Sequence, residues 1–182
     1  IGSSPTVSFN INSTVSNEGS VEALSSAGGI VGLLTRTLST EDNAQITNEG
    51  SVKAEESNAG GIIGTADNLI FKTGSKVTNQ GTVEAWHDNG GGIAGSGKKW
   101  INIKENAQVV NEGSVKTKGN NAGGIVGISF DDITSSGGFL TNTGDVIALG
   151  SNAGGITGKA DVPEGKSLII SRTQSAEGSV HA

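Results

Sequence analysis

The chain has 182 residues, 30 of them glycine, with no cysteine and only 3% aromatic residues. That length allows one domain with a sizeable core, but the core has to be filled by Val, Ile, Leu and Ala rather than by large rings. The net charge of −6 lacks the basic patch that nucleic acid or an anionic membrane needs, so neither nucleic-acid binding nor membrane insertion is expected.

Without cysteine there is no disulfide staple, Cys-ligated zinc or thiol nucleophile. No apolar run reaches the roughly 18 residues that a membrane-spanning helix needs. The glycines follow no G-X-Y period, which excludes collagen. The chain opens Ile1-Gly2-Ser3-Ser4-Pro5 without Met, so residue 1 is expected to be a processed end or a boundary inside something longer.

The first apolar alternation, Val7, Phe9 and Ile11, predicts a strand. A repeat then takes over. Asn-x-Gly-x-Val occurs at Asn17–Val21, Asn48–Val52, Asn79–Val83, Asn111–Val115 and Asn142–Val146, with Asn spacings of 31, 31, 32 and 31 residues. A degenerate sixth copy begins at Ala176. A second motif, Ala-Gly-Gly-Ile-x-Gly, follows at a fixed offset at Ala27, Ala59, Ala122 and Ala153, and starts with Gly90 in the third unit. Two motifs keeping one period mark a repeat architecture.

No unit shows helical periodicity. In the third unit, Asn68–Phe71, Ser75–Thr78, Gly81–Ala85 and Gly92–Gly95 read as four short strands between Gly and Asn breakers. One unit of this size cannot bury a core alone, but units stacked about 4.8 Å apart can pair each strand with its copy in the next coil. The predicted fold is therefore all-β: one right-handed parallel β-helix (β-solenoid) over residues 1–182, with about 31 residues per coil and five to six coils. The hand follows from the preference of parallel crossovers.

Equivalent residues then form ladders. Val21, Val52, Val83, Val115 and Val146 make one inward column. Ile30, Ile62, Ile93, Ile125 and Ile156 make a second, and Val15, Ile46, Val77, Val109 and Leu140 a third. Asn17, Asn48, Asn79, Asn111 and Asn142 are expected to bond their own backbone and the next coil's amide. The glycine two residues later is expected at positive φ, and the Gly-Gly pair at a tight corner. Outward columns are Glu22, Lys53, Glu84 and Lys116, whose alternating charges suit cross-strand pairing, and Glu18, Glu49, Gln80 and Glu112, a solvated edge or a weak cation site. The last coil decays, with Ala176 for Asn and Gln174 at an apolar position. The N-terminal edge shows no such decay, so the expectation is that either more coils precede residue 1 or the chain self-associates through open β edges.

The Gly28-Gly29-Ile30-Val31-Gly32 segment followed by Asn48-Glu49-Gly50-Ser51-Val52 resembles the GLUG motif, and the resemblance covers nearly the whole chain. GLUG-type repeats are associated with large secreted or surface bacterial proteins, including immunoglobulin A peptidases and filamentous-haemagglutinin-like adhesins. The resemblance implies a β-solenoid and an extracellular or bacterial cell-surface location. It carries no catalytic residues, because in those peptidases the repeats lie outside the protease domain.

Solenoid enzymes need clustered acids with basic partners or calcium in a groove. Here Asp131-Asp132 and Glu41-Asp42 are acidic pairs without a basic neighbour in sequence, the only arginines are Arg36 and Arg172, and the histidines are His87 and a terminal His181. No catalytic site, cofactor or metal is expected. The glycine clusters lack the Asp of calcium-binding β-rolls, and no Gly-Lys-Ser/Thr follows them. Ser16, Thr47, Thr78, Val110 and Thr141 form one partial hydroxyl column, not the paired array of an ice-binding face. Trp86, His87 and Asp88 break the repeat, since Leu24, Glu55, Lys118 and Leu149 stand where Trp86 does. They are either a contact for a sugar or protein partner or the cover of a coil corner. Trp100 reads as strand packing.

The expected role is a non-catalytic structural and adhesive segment of a secreted or cell-surface bacterial protein, contacting a host or matrix protein or glycan. The alternative is a self-assembling extracellular fibre subunit stacking coil on coil, and more distantly a carbohydrate-binding solenoid.

Overall fold

The computed structural model describes residues 1–161 and 179–181. Ala176, Gln174 and Arg172 lie outside the described residues. The chain is an all-β parallel solenoid, with no helix among the described residues.

Each coil has five faces. The first holds Ser3–Phe9, the latter half of Val31–Thr40, Asn68–Phe71, Ile101–Ile103 and Ile133–Ser135. The second stacks Thr14–Asn17, Gln45–Asn48, Lys76–Asn79, Gln108–Asn111 and Phe139–Asn142. The third runs from Val21–Ala23 through Val52–Ala54, Val83–Ala85, Val115–Thr117 and Val146–Ala148 to Val180–His181. The fourth is Ala27–Gly28 and its copies at Ala59–Gly60, Gly90–Gly91, Ala122–Gly123 and Ala153–Gly154. The fifth holds the start of Val31–Thr40, Ile63–Ala66, Ala94–Gly97, Val126–Ser129 and Thr157–Ala160.

Four strands per coil are expected from the sequence, the fourth in the third unit being Gly92–Gly95. Gly92 and Ile93 instead form the corner between two short strands, Gly90–Gly91 and Ala94–Gly97, so that the coil has five. Ile11 is also not strand: Ser3–Phe9 ends before it, and Ile11 sits in a turn with 61% of its surface exposed. The terminal His181 pairs with Ile147.

The predicted ladders align in register. Val21, Val52, Val83, Val115 and Val146 are successive strand partners, as are Val15, Ile46, Val77, Val109 and Leu140. Each Ile of the second motif donates its N–H to the Ile carbonyl one coil on, from Ile30 to Ile156. The columns form two cores. The larger joins the first, second and fifth faces around the Ile column. The smaller is built only of Val and Ala from the third and fourth faces. Spacings of 31 and 32 residues coexist because the added residue falls at a corner. Ala66 and Leu69 are three apart, whereas their partners Gly97 and Ile101 are four apart.

Asn48, Asn79, Asn111 and Asn142 are fully buried. Each Nδ2 bonds forward to the next Oδ1, at 2.7 Å from Asn17, 2.8 Å from Asn48 and Asn79, and 2.7 Å from Asn111. The same nitrogens bond the glycine carbonyl two residues on, at 2.7–2.8 Å. A planar amide with two donors and an acceptor fills this slot completely, which explains why this residue recurs.

The glycine of Asn-x-Gly-x-Val is required for a reason other than the one expected. None of these glycines has φ in the left-handed region; among the described residues only Gly74 and Gly137 do. Instead, a Cβ at Gly50, Gly81, Gly113 or Gly144 would overlap the carbonyl oxygen of the same glycine one coil earlier. The Gly-Gly pair does pack backbone on backbone, as expected. A side chain at Gly29, Gly61, Gly92 or Gly124 would strike the buried Asn amide and the next coil's glycine carbonyl.

Left-handed backbone belongs instead to asparagines. Asn58, Asn89, Asn121 and Asn152 have φ of 23°, 63°, 60° and 63°, immediately before the Ala/Gly-Gly segment. They form a second amide ladder, with Nδ2 of Asn89, Asn121 and Asn152 donating to the preceding Asn Oδ1 at 3.0, 2.9 and 2.9 Å. A third column, Asn12, Asn43, Gly74, Asn106 and Gly137, turns the corner between the first and second faces, also with positive φ. Asparagine and glycine tolerate this region best.

Candidate interaction surfaces

Trp86 is 38% exposed. Its N–H bonds the Ala54 carbonyl, and Lys118 and Leu149 follow in the same column, which matches the alignment read from sequence. It sits in the bend that follows Val83–Ala85. Lys53 from the preceding coil and Lys118 from the following coil place their ammonium groups 4.2 and 3.7 Å from its ring centroid. Both lysines also meet carboxylates: Lys53 bonds Glu22 at 2.5 Å and lies 3.7 Å from Glu55, and Lys118 is 4.0 Å from Glu84. The hydrogen bond from Lys53, with its charge, holds Glu22 below the usual carboxylate range, and Glu22 in turn raises Lys53. The alternating column therefore pairs only in part, because Glu84 turns to Lys118 rather than along its own file.

His87 is exposed, and its carbonyl accepts the Gly119 N–H at 2.6 Å. The Asp88 carboxylate accepts the Asn120 N–H at 2.6 Å. Asp88 thus fixes the turn of the next coil, while Trp86 and His87 face outward. The three residues are neighbours, but only two present free surface.

The other candidates separate. Trp100 is 44% exposed at the corner before Ile101–Ile103, not packed in a strand as expected; Phe130 is exposed on the following coil. Glu41, which has no basic neighbour in sequence, accepts from Lys72 of the next coil at 2.6 Å, which lowers its pKa. Asp131 accepts the Asp132 N–H at 2.8 Å. In the acidic edge column, Gln80 donates to Glu112 at 2.8 Å, so the amide bridges part of the stack. No group of three His, Cys, Asp or Glu able to hold a metal occurs among the described residues.

Sequence reasoning did not foresee the groove on the outward side of the second face. Gln45, Lys76, Gln108 and Phe139 line one side, and Glu49, Gln80 and Glu112 the other. The hydroxyl column lies between them as the floor. Two adjoining depressions, of about 400 and 190 Å³, share Lys76 and Glu112 and run along the solenoid axis. Thr78 points outward yet is only 4% exposed, and its Oγ1 is buried without a hydrogen-bond partner. The available signal was a shorter residue between two long ones in the three middle coils, at Gln45, Thr47 and Glu49, at Lys76, Thr78 and Gln80, and at Gln108, Val110 and Glu112.

The chain matches no family model, no curated protein and no solved structure.

Proposed function

We propose that this chain is a non-catalytic structural and adhesive segment of a secreted or cell-surface bacterial protein. The observation that carries the reading is the buried amide file from Asn17 to Asn142, which locks every coil to the next and leaves the outward columns as the variable surface. The likeness of the Gly-Gly-Ile-x-Gly and Asn-x-Gly-x-Val segments to GLUG repeats supports the location, and the acidic net charge of −6 suits a solvent-facing rod. Beads coated with the purified chain are expected to be retained on epithelial monolayers or immobilised matrix proteins above uncoated beads. Retention equal to uncoated beads on all surfaces overturns adhesion.

A second reading is a fibre subunit. It is favoured by the in-register pairing of equivalent strands at each step, Thr14–Asn17 on Gln45–Asn48, Val21–Ala23 on Val52–Ala54 and Ala27–Gly28 on Ala59–Gly60, a pattern that a coil of a second copy could continue. Sedimentation velocity across a wide concentration range, with electron microscopy, separates the two readings. Concentration-dependent rods support the fibre, and a monomer throughout removes it.

A further inference from the structure

The groove on the second face opens outward, away from both cores, and one side-chain bond between coils, Gln80 to Glu112, runs along its wall. Its floor is the column Thr47, Thr78, Val110 and Thr141; one wall continues over four successive coils and the other over three. Three steps of about 4.8 Å make it about 14 Å long. Near its middle Thr78, 4% exposed as a residue, lines the smaller depression, and its buried hydroxyl oxygen has no hydrogen-bond partner. A buried hydroxyl normally has a partner.

We propose that this groove binds a neutral oligosaccharide laid along the solenoid axis. The proposal deepens the adhesive reading, on which it rests, by assigning the ligand class and the surface. The lining holds one cation, Lys76, against Glu49 and Glu112 across the floor, and Glu112 already accepts from Gln80. No concentrated charge of either sign is available for a polyanion or polycation. Gln45, Gln80 and Gln108 each offer both donors and an acceptor, and threonine hydroxyls do the same. Sugar hydroxyls have that same dual character. Because equivalent positions recur at every strand step, the surface fits a polymer of repeating units better than a compact ligand. Phe139, half-buried at the far end, presents an apolar ring against which the C–H face of a sugar can lie. A peptide crossing this face would meet side chains rather than a strand edge, so its own N–H and C=O groups would find no ladder.

The test is calorimetric titration of the full chain with cellohexaose and chitohexaose, and with a heparin hexasaccharide as the anionic comparison. At least one neutral hexasaccharide is expected to bind saturably, with little dependence on salt. Thr78→Val keeps the branched shape and removes the hydroxyl; it should weaken binding about three- to tenfold, the effect of losing one hydrogen bond. Gln108→Ala should weaken it similarly, while Thr134→Val, on the first face, should leave it unchanged. Thermal melts of Thr78→Val matching the parent show that the loss is local. The proposal is overturned if neither neutral sugar binds, if Thr78→Val and Gln108→Ala bind as the parent does, or if heparin is preferred with a steep salt dependence. Bead retention distinguishes the levels: retention without neutral-sugar binding defeats the groove assignment and leaves adhesion standing, whereas loss of both defeats both.

Discussion

Replacing Asn79 with alanine removes the centre of the main amide file. The side chain is fully buried. It accepts from Asn48 Nδ2 at 2.8 Å, donates to Asn111 Oδ1 at 2.8 Å and donates to the Gly81 carbonyl at 2.8 Å. Three buried bonds at about 1 kcal/mol each give about 3 kcal/mol. The Asn48 and Asn111 groups left facing an apolar methyl add to this, so a loss of about 3–5 kcal/mol is expected. Asn17→Ala is the internal comparison. Asn17 donates to Asn48 and to Gly19 but accepts from no preceding coil and is only half-buried, so about 1–2 kcal/mol is expected there. Asn79→Asp sharpens the test. A carboxylate would face the Asn111 Oδ1 and the Gly81 carbonyl as a third acceptor, so it should destabilise most at neutral pH and recover as acid protonates it. The assay is urea unfolding followed by circular dichroism. Equal losses at positions 17 and 79, or a loss under about 1 kcal/mol for Asn79→Ala, would refute the reasoning that buried amide bonds lock the coils.

Gly81→Ala should fail to fold or lose about 2 kcal/mol or more, because the new Cβ overlaps the Gly50 carbonyl, and overpacking against backbone cannot relax locally. Gly19→Ala should be near neutral, since its nearest neighbour would be Asn17 Oδ1 at 3.9 Å; melting temperatures of the pair decide this. Lys118→Met should cost about 0.5–1 kcal/mol in urea unfolding by removing the closer cation over Trp86, and the same substitution in a Trp86→Ala background should cost less. Glu22, Glu41 and Asp145 are all held below the ordinary carboxyl range, by hydrogen bonds from Lys53, Lys72 and Ser179 respectively. A lowered folded-state pKa means each contribution is complete above the ordinary carboxyl value and is lost as pH falls through the folded one. Urea midpoints should therefore be flat near neutrality and decline in acid below about pH 4, by a small amount because all three groups are exposed. A rise on acidification would contradict the assignment.

The fold was legible because period and composition act together. Columns of Val and Ile at a fixed step can be buried only by stacking, so register followed directly from the spacing of Asn17, Asn48, Asn79, Asn111 and Asn142. Backbone detail was less legible. The motif glycine looked like a left-handed turn residue, but its need is close approach between coils, a relation between residues about 31 positions apart. The second amide ladder was visible in principle as the residue before each Ala/Gly-Gly segment, Ser26, Asn58, Asn89, Asn121 and Asn152. The column is broken in sequence, because its first copy, Ser26, is not asparagine. The groove was the least accessible feature. Thr47, Thr78 and Thr141 read as one incomplete hydroxyl column, and only the long side chains on either side, seen together in space, make it a floor.

The two asparagine files point opposite ways. In the first file Asn17, Asn48, Asn79 and Asn111 each donate toward the later coil, whereas in the second Asn152, Asn121 and Asn89 each donate toward the earlier one. Each file alone would align its amide dipoles along the axis, and polarisation along a hydrogen-bonded chain would strengthen that alignment. Run antiparallel within one rod, the two fields offset. The solenoid can therefore lengthen coil by coil without its asparagine side chains building a growing axial dipole, and so without an electrostatic bias from them as to which end meets a neighbour.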